Sequence, residues 1–413
     1  MRKGFEKLSR RQVLARGVSV VGAASGVLGA GHVVAQAAPA AAPARFKVGL
    51  MLPYSGTYAK LGEAIENGMR MAVAEKGGRL AGREVEWIKL DDESEPKKAD
   101  ANARRLVQQD KVDVIVGTVH SGVQMAIQKV VAESGTLSII PNAGVHAVTR
   151  NACLPNVFRT SFTMGQPTVA LGQAMIERKA RRAVWVTWDY PAGADSLEGF
   201  REGYVKAGGS IVKELKVPFP STDFSAVLAE IAQLKPDAVA CFFAGGGAVK
   251  FMQDYEKAGL RHRIPLYGSG FLTEGVLGDT GTAAEGIVTT LHYSNLLPSV
   301  RNGEFRYTYS RTFRSEPDVY AMQGYDSGLL LRQGLEAVQG DTGKREQLYG
   351  AMEAAVIDSP RGQWRMGKAH NPVQDIYLRT VANGENRIIG VAARRWRIRV
   401  PAASWPDGSA ACF

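Results

Sequence analysis

The feature that most constrains this fold is an alternation of short apolar runs with amphipathic stretches at helical spacing. Residues 46–52, 84–90, 113–116 and 137–140 read as strands, and 61–76, 96–109 and 121–134 read as the helices between them. Strands that alternate with helices imply parallel pairing through crossovers, hence a doubly wound α/β sheet covered on both faces. A second series follows, with strands expected at 183–187, 210–216, 238–243 and 264–267 and helices at 167–178, 194–207, 223–233 and 247–257. In both series an apolar run ends in a glycine turn that opens a helix, at Val114-Ile115-Val116-Gly117 and at Cys241-Phe242-Phe243-Ala244-Gly245. The reading is two Rossmann-like lobes of similar build; two functionally unrelated α/β domains are the alternative that the pattern alone allows.

The rest of the chain is too small for a third domain. Helices at 302–314, 320–338 and 346–356 and strand-like runs at 362–366, 375–381 and 387–391 suit additions to the two lobes. After Arg394 the periodicity stops, so a loosely held tail is expected over 393–413. A length of 413 residues fits two lobes plus a leader.

Residues 1–37 have the composition of a leader. Ser9-Arg10-Arg11-Gln12-Val13-Leu14 precedes a Gly- and Ala-rich apolar run, and Ala35-Gln36-Ala37 offers small residues for cleavage. The paired arginines point to twin-arginine export. A membrane anchor is the competing reading, but the run carries five glycines and His32, whereas a span needs about 20 strongly apolar residues. Residues 38–45 then read as an Ala/Pro-rich linker.

Charge and cysteine content exclude several functions. The net charge is +11; removing six basic residues and one acid with the leader leaves +6, and setting aside four arginines and one acid in the tail leaves about +3. That is too small and too dispersed for a nucleic-acid surface, though compatible with an anionic ligand. Cys153, Cys241 and Cys412 form neither a C-x-x-C motif nor a Cys/His cluster, so no metal site and no cofactor is expected. Cys241 reads as a buried thiol, and a tail-to-body disulfide between Cys153 and Cys412 suits an oxidising compartment. No G-x-S-x-G elbow, Walker loop or G-x-G-x-x-G fingerprint is present, and the histidines are scattered, so the chain does not read as an enzyme.

Open α/β sheets bind ligands beyond the carboxyl ends of their strands. Three loops of the first series qualify: Pro53–Tyr58, Gly117–Gly122 and Pro141–Gly144. Ser121 stands where a helix begins, and its hydroxyl with the Gly122 and Val123 amides would suit a carboxylate. Equally, a serine there is a common helix cap. Tyr54, Tyr58, Tyr190, Phe271 and Tyr320 are aromatic candidates for a cleft wall, most of them just after strand ends.

Taken in order, these stretches resemble a known family. Val48-Gly49-Leu50, Ser55-Gly56, Leu61-Gly62, Asn67-Gly68, the run Leu90 to Pro96, Val116-Gly117 with Ser121, Ile140-Pro141-Asn142-Ala143, Phe158-Arg159-Thr160 and Asp223-Phe224-Ser225 are similar to the type I periplasmic binding proteins. The likeness is to the leucine/isoleucine/valine-binding group of ABC importers and spans residues 46 to about 391. It implies a three-crossover hinge, with crossings near Ser161, Leu291 and Asn371. One lobe would then comprise 46–161 with 292–371, and the other 162–291 with 372–392. It implies a monomer that binds a small carboxylate between the lobes and presents it to the importer's permease and ATPase. A sensing module without a transport role is the alternative.

The resemblance places the carboxylate at Ser121, Gly122 and the Asn142-Ala143-Gly144 loop, with Tyr58, Tyr190, Phe271 and Tyr320 around it. Glu274 resembles the acid that receives an α-ammonium group in amino-acid binders. Departures bear on the ligand. Gly144, Gly246 and Leu61 stand where those binders carry threonine, tyrosine and tryptophan, which implies a roomier pocket. Ser94 and His120 replace a family cysteine pair. Val119-His120-Ser121-Gly122 with Ile140 to Gly144 is closer to the aromatic-acid subgroup, whereas Glu274 favours amino acids.

Overall fold

A computed structural model describes residues 44–396. The expected leader, nearly all of the linker and the tail from residue 397, Cys412 included, lie outside the described residues. Cys153 is not a free residue, and Cys241 is a buried thiol. No helix among the described residues is long and apolar enough to cross a membrane.

The first sheet is built from β1 (Phe46–Leu52), α1 (Ala59–Ala74), β2 (Arg79–Leu80), β3 (Arg83–Asp91), α2 (Pro96–Arg104), β4 (Val114–Val116), α3 (Ser121–Ser134), β5 (Leu137–Ile140) and β6 (Val157–Arg159). Its strand order is β2-β3-β1-β4-β5-β6. All pairs from β3 to β6 are parallel, while the short β2 is antiparallel to β3. β1, β4 and β5 are almost wholly buried, as continuous apolar strands covered on both faces must be.

The chain then enters the second sheet through α4 (Gly165–Glu177), β7 (Arg182–Asp189), α5 (Pro191–Lys206), β8 (Ser210–Pro218), α6 (Ser225–Leu234), β9 (Ala238–Phe242), α7 (Gly245–Lys257), β10 (Leu266–Ser269), α8 (Leu277–Thr280) and β11 (Val288–Leu291). It returns as α9 (Val300–Phe313), α10 (Val319–Ala337) and α11 (Arg345–Glu353), and closes with β12 (Val356–Ile357), β13 (Trp364–Met366), β14 (Pro372–Ala382) and β15 (Glu385–Trp396). The second order runs β12-β13-β14-β11-β10-β9-β7-β8, with β15 on β14. Strands β7 to β11 pair in parallel, and β14 lies antiparallel to β11.

Both sheets reverse direction in the same way. β1 has β3 on one side and β4 on the other; β7 has β8 on one side and β9 on the other. A crevice therefore opens beyond β1/β4 in one lobe and beyond β7/β9 in the other.

α10 returns to the first lobe and packs along α1. A Cβ on Gly68 would lie 1.9 Å from the Ala321 carbonyl oxygen, and one on Gly324 would lie 2.0 Å from that of Ile65. Reciprocal glycines thus bring the two helix backbones together, and any side chain at either would force them apart.

At the crossings, Arg361 is buried with Asp326 at 2.8 Å and donates to the Thr160 and Ser161 carbonyls at 2.6 and 3.1 Å. Arg159 donates to Asn371 at 3.0 Å. Arg361 thus satisfies two carbonyl groups of the segment that leaves β6.

Several expectations need correction. β6 and β11, only three and four residues long, carry no alternation that a sequence reading detects. The helix expected over 96–109 is α-helical to Arg104 and then widens into a π-turn, Arg105–Gln109. β12 and β13, within the stretch assigned to the first lobe, are hydrogen-bonded through β14 to the second sheet. The start of the expected tail, residues 393–396, is the end of β15.

Candidate functional site

The two crevices face each other across a small cavity of about 20 Å³. From the first lobe come Tyr58 and Leu61 after β1, Val119 and Ser121 after β4, and Asn142 and Gly144 after β5. From the second come Tyr190 and Ala192 after β7, Phe242 at the end of β9 with Ala244 after it, and Phe271 after β10. Phe162 and Met164 enter from the crossing, and Tyr320 from the first turn of α10. None of the described residues on this wall carries a charge.

Rings dominate the wall. Phe162 and Phe271 meet at 4.5 Å between centroids, Tyr320 lies 6.2 Å from Phe271, and Phe242 stands perpendicular to Phe271. A second aromatic layer seals the junction between lobes: His120 stacks on Tyr190 at 4.9 Å and touches Phe219 at 4.7 Å, and Phe219 contacts Tyr58 at 5.6 Å. The Tyr58 and Tyr190 hydroxyls are 3.1 Å apart, and the Gly247 amide donates to Thr57 Oγ1 at 3.3 Å.

The start of α3 differs from expectation. His120, not Ser121, caps the helix: its Nδ1 accepts from the Val123 amide at 3.3 Å. The Val123 amide is therefore taken, while Ser121 has no capping role and lines the cavity. The Ser121 and Gly122 amides precede the first intrahelical acceptor, as the opening amides of any α-helix do. Burial pushes the His120 imidazole down to about 4, so it is neutral near pH 7.

Asn142 donates to Gln323 at 2.7 Å, and Gln323 lies 3.2 Å from the His292 ring. Burial, with Arg361 and Arg379 nearby, holds His292 well below its usual range. The Tyr320 hydroxyl is buried with no partner among the described residues. Burial first, then Asp318 and Glu274, push it well above the ordinary phenol range, so it stays a neutral donor.

The cavity thus gathers Tyr58, Ser121, Asn142, Gly144, Tyr190, Phe271 and Tyr320. Gly122 lies beside it, against Pro96 and the His120 ring. Ala143 donates its amide to the Thr118 carbonyl at 2.9 Å and is not on the wall. Glu274 is off the wall too: its carboxylate is ion-paired with the buried Arg379 and accepts from the Val319 amide at 3.0 Å and from Asn386 at 3.3 Å. The roomier pocket expected from Gly144 is not found. A Cβ there would lie 2.6 Å from the Phe162 ring and 2.8 Å from Met164 Sδ, so these side chains occupy the space a threonine would take.

Phe162, Met164 and Phe242 were not singled out from sequence. Phe162 and Met164 sit on the crossing segment, where no periodicity marks a face; Phe242 ends an apolar strand like any core residue.

Comparison with known proteins agrees with this architecture. A family model described as periplasmic binding protein matches residues 45–386. A solute-binding protein of an ABC transporter from R. palustris, solved in complex with benzoate, is 48% identical, with a TM-score of 0.84 over 86% of this chain and 98% of that one. Another, from Rhodopseudomonas palustris BisB5 in complex with 3,4-dihydroxybenzoic acid, is 31% identical, with a TM-score of 0.80 over 85% and 98%. "Leu/Ile/Val-binding protein homolog 6" of Brucella melitensis is 27% identical over 349 residues, 82% of this chain and 88% of that protein.

Proposed function

This chain belongs to the periplasmic binding protein family, and we propose that it closes around a benzoate-type aromatic carboxylate for delivery to an ABC importer. The observation that carries the ligand class is the wall: aromatic rings and neutral donors, with no charged group among the described residues. The Ser121 hydroxyl and the opening amides of α3, at the positive end of its dipole, offer donors for the carboxylate. Phe162, Phe271 and Phe242 offer faces and edges for the ring.

An α-amino acid would need an acceptor for its ammonium group. Glu274 is the acid that the family likeness suggests, and it is already bound to Arg379. Two relatives solved with benzoate and dihydroxybenzoate support the aromatic reading. Membership implies a periplasmic location. Export through the paired arginines Arg10 and Arg11, a monomeric state and contact with the permease and ATPase complete the proposal.

Isothermal titration with benzoate, 4-hydroxybenzoate, 3,4-dihydroxybenzoate and leucine tests the ligand class. Saturable binding of at least one benzoate is expected, with none for leucine. Leucine binding tighter than every benzoate would overturn it.

A further inference from the structure

A second set of contacts joins the lobes away from the cavity. His146, in the first-lobe loop after β5, is buried beneath α5 of the second lobe. Its backbone amide donates to Asp195 Oδ2 at 2.6 Å, and its Nδ1 lies 3.4 Å from Glu198 Oε2 and 3.7 Å from Asp195 Oδ1. The Gly165 amide, where α4 begins, donates to His146 Nε2 at 2.9 Å. Arg150, in the same loop, adds an ion pair to Glu198 at 3.3 Å.

The ring's protonation follows from these partners. Nε2 accepts from Gly165, so in the neutral imidazole the proton sits on Nδ1, facing the two carboxylates. His146, Asp195 and Glu198 are close enough together to hold a cation. A cation would need the Nδ1 lone pair, however, and the Gly165 contact assigns that nitrogen its proton. The cluster is therefore a hydrogen-bonded joint between lobes and not a metal centre.

The geometry points to His146, Arg150, Asp195 and Glu198 as a positioning latch that holds the lobes closed and slows ligand escape. Both of its anchors lead directly to the cavity. Gly144 lines the wall two residues before His146, and Ala192 lines it one turn before Asp195 on α5. The loop bearing His146 is itself fixed, because Arg159 donates to the Val145 carbonyl at 2.7 Å and to Thr149 Oγ1 at 3.1 Å. Opening the cleft requires these contacts to separate, and a ligand retained only while the cleft is closed leaves at the rate of opening. The Glu198 carboxyl is pushed down to about 2, chiefly by its hydrogen bond with His146 and against partial burial, with Arg150 also lowering it. It is thus an anion throughout the neutral range.

The ligand readout rests on the aromatic-acid reading, so the test has two arms. In the first, benzoate dissociation is followed by stopped flow for His146→Ala, Asp195→Asn and Glu198→Gln. The off-rate should rise about three- to tenfold, the range one or two polar contacts contribute, with the on-rate little changed. Asp195→Asn, which keeps an oxygen for the His146 amide, should fall between wild type and His146→Ala. In the second arm, small-angle scattering of the ligand-free proteins should show a larger radius of gyration in the variants. Glu198→Gln carries the test if His146→Ala does not fold, because Glu198 is largely exposed. Unchanged off-rates and unchanged scattering overturn the latch. If no benzoate binds, the ligand class fails while the scattering arm still decides the latch.

Discussion

The Tyr58 and Tyr190 hydroxyls meet at 3.1 Å across the lobe boundary, each the polar tip of a ring that also lines the cavity. Burial raises both phenols well above their usual range, so the bond joins two neutral groups. Either Tyr58→Phe or Tyr190→Phe leaves the other hydroxyl buried and unpaired, at about 1–3 kcal/mol. The double variant is expected to cost less than the sum of the two. A double-mutant cycle on benzoate affinity reads this coupling.

Ser121 and His120 should separate binding from stability. With the cap provided by His120, Ser121→Ala is expected to leave the thermal midpoint of the free protein unchanged and to weaken benzoate about tenfold, the effect of one lost hydrogen bond. His120→Ala removes the cap and lowers stability by about 1 kcal/mol or more. Differential scanning calorimetry beside titration distinguishes the two.

At Gly144 a threonine would collide with Phe162 and Met164. Gly144→Thr is therefore expected to cost about 1–3 kcal/mol in stability through overpacking. It should abolish benzoate binding without creating leucine binding, because no described residue on the wall carries a carboxylate. Equilibrium denaturation and titration with both ligands check it.

Asp92 gives a pH signature. Its carboxyl is buried, with Oδ1 accepting from the Ser94 amide at 2.8 Å and Oδ2 without a partner among the described residues. Burial, reinforced by Asp91 and Glu93, pushes it up to about 7. A folded-state value raised above the unfolded one stabilises fully at low pH, and that contribution is lost as pH rises from about 4 to about 7. Asp92→Asn should thus match wild type near pH 4 and exceed it by a few kcal/mol, on the order of what such a shift implies, at pH 8. Urea midpoints across that range measure the difference.

The repeating strand–helix pattern made both sheets legible, because buried parallel strands write themselves as unbroken apolar runs such as Phe46 to Leu52. Half of the cavity residues were legible, several for a related reason: loops after strand ends face the crevice, which marked Tyr58, Ser121, Asn142 and Tyr190. Side-chain partnership was not legible. Glu274 read as a ligand group, because nothing in the sequence places Arg379, more than a hundred residues away, against it. Gly144 read as empty space for the same reason, since Phe162 and Met164 fill it from a different segment. The helix cap fell to His120, a residue type seldom considered for it, and only the fold reveals which ring nitrogen points at Val123.

The uncharged wall also bears on how the cavity empties. An anion seated on lysine or arginine must separate from its counter-charge in a weakly polarisable interior before it can leave. Hydroxyls and amides instead trade one partner for water at a time, without such a barrier. For the proposed aromatic carboxylate, release once the lobes part would then be governed by rewetting of the aromatic faces and would be largely indifferent to salt.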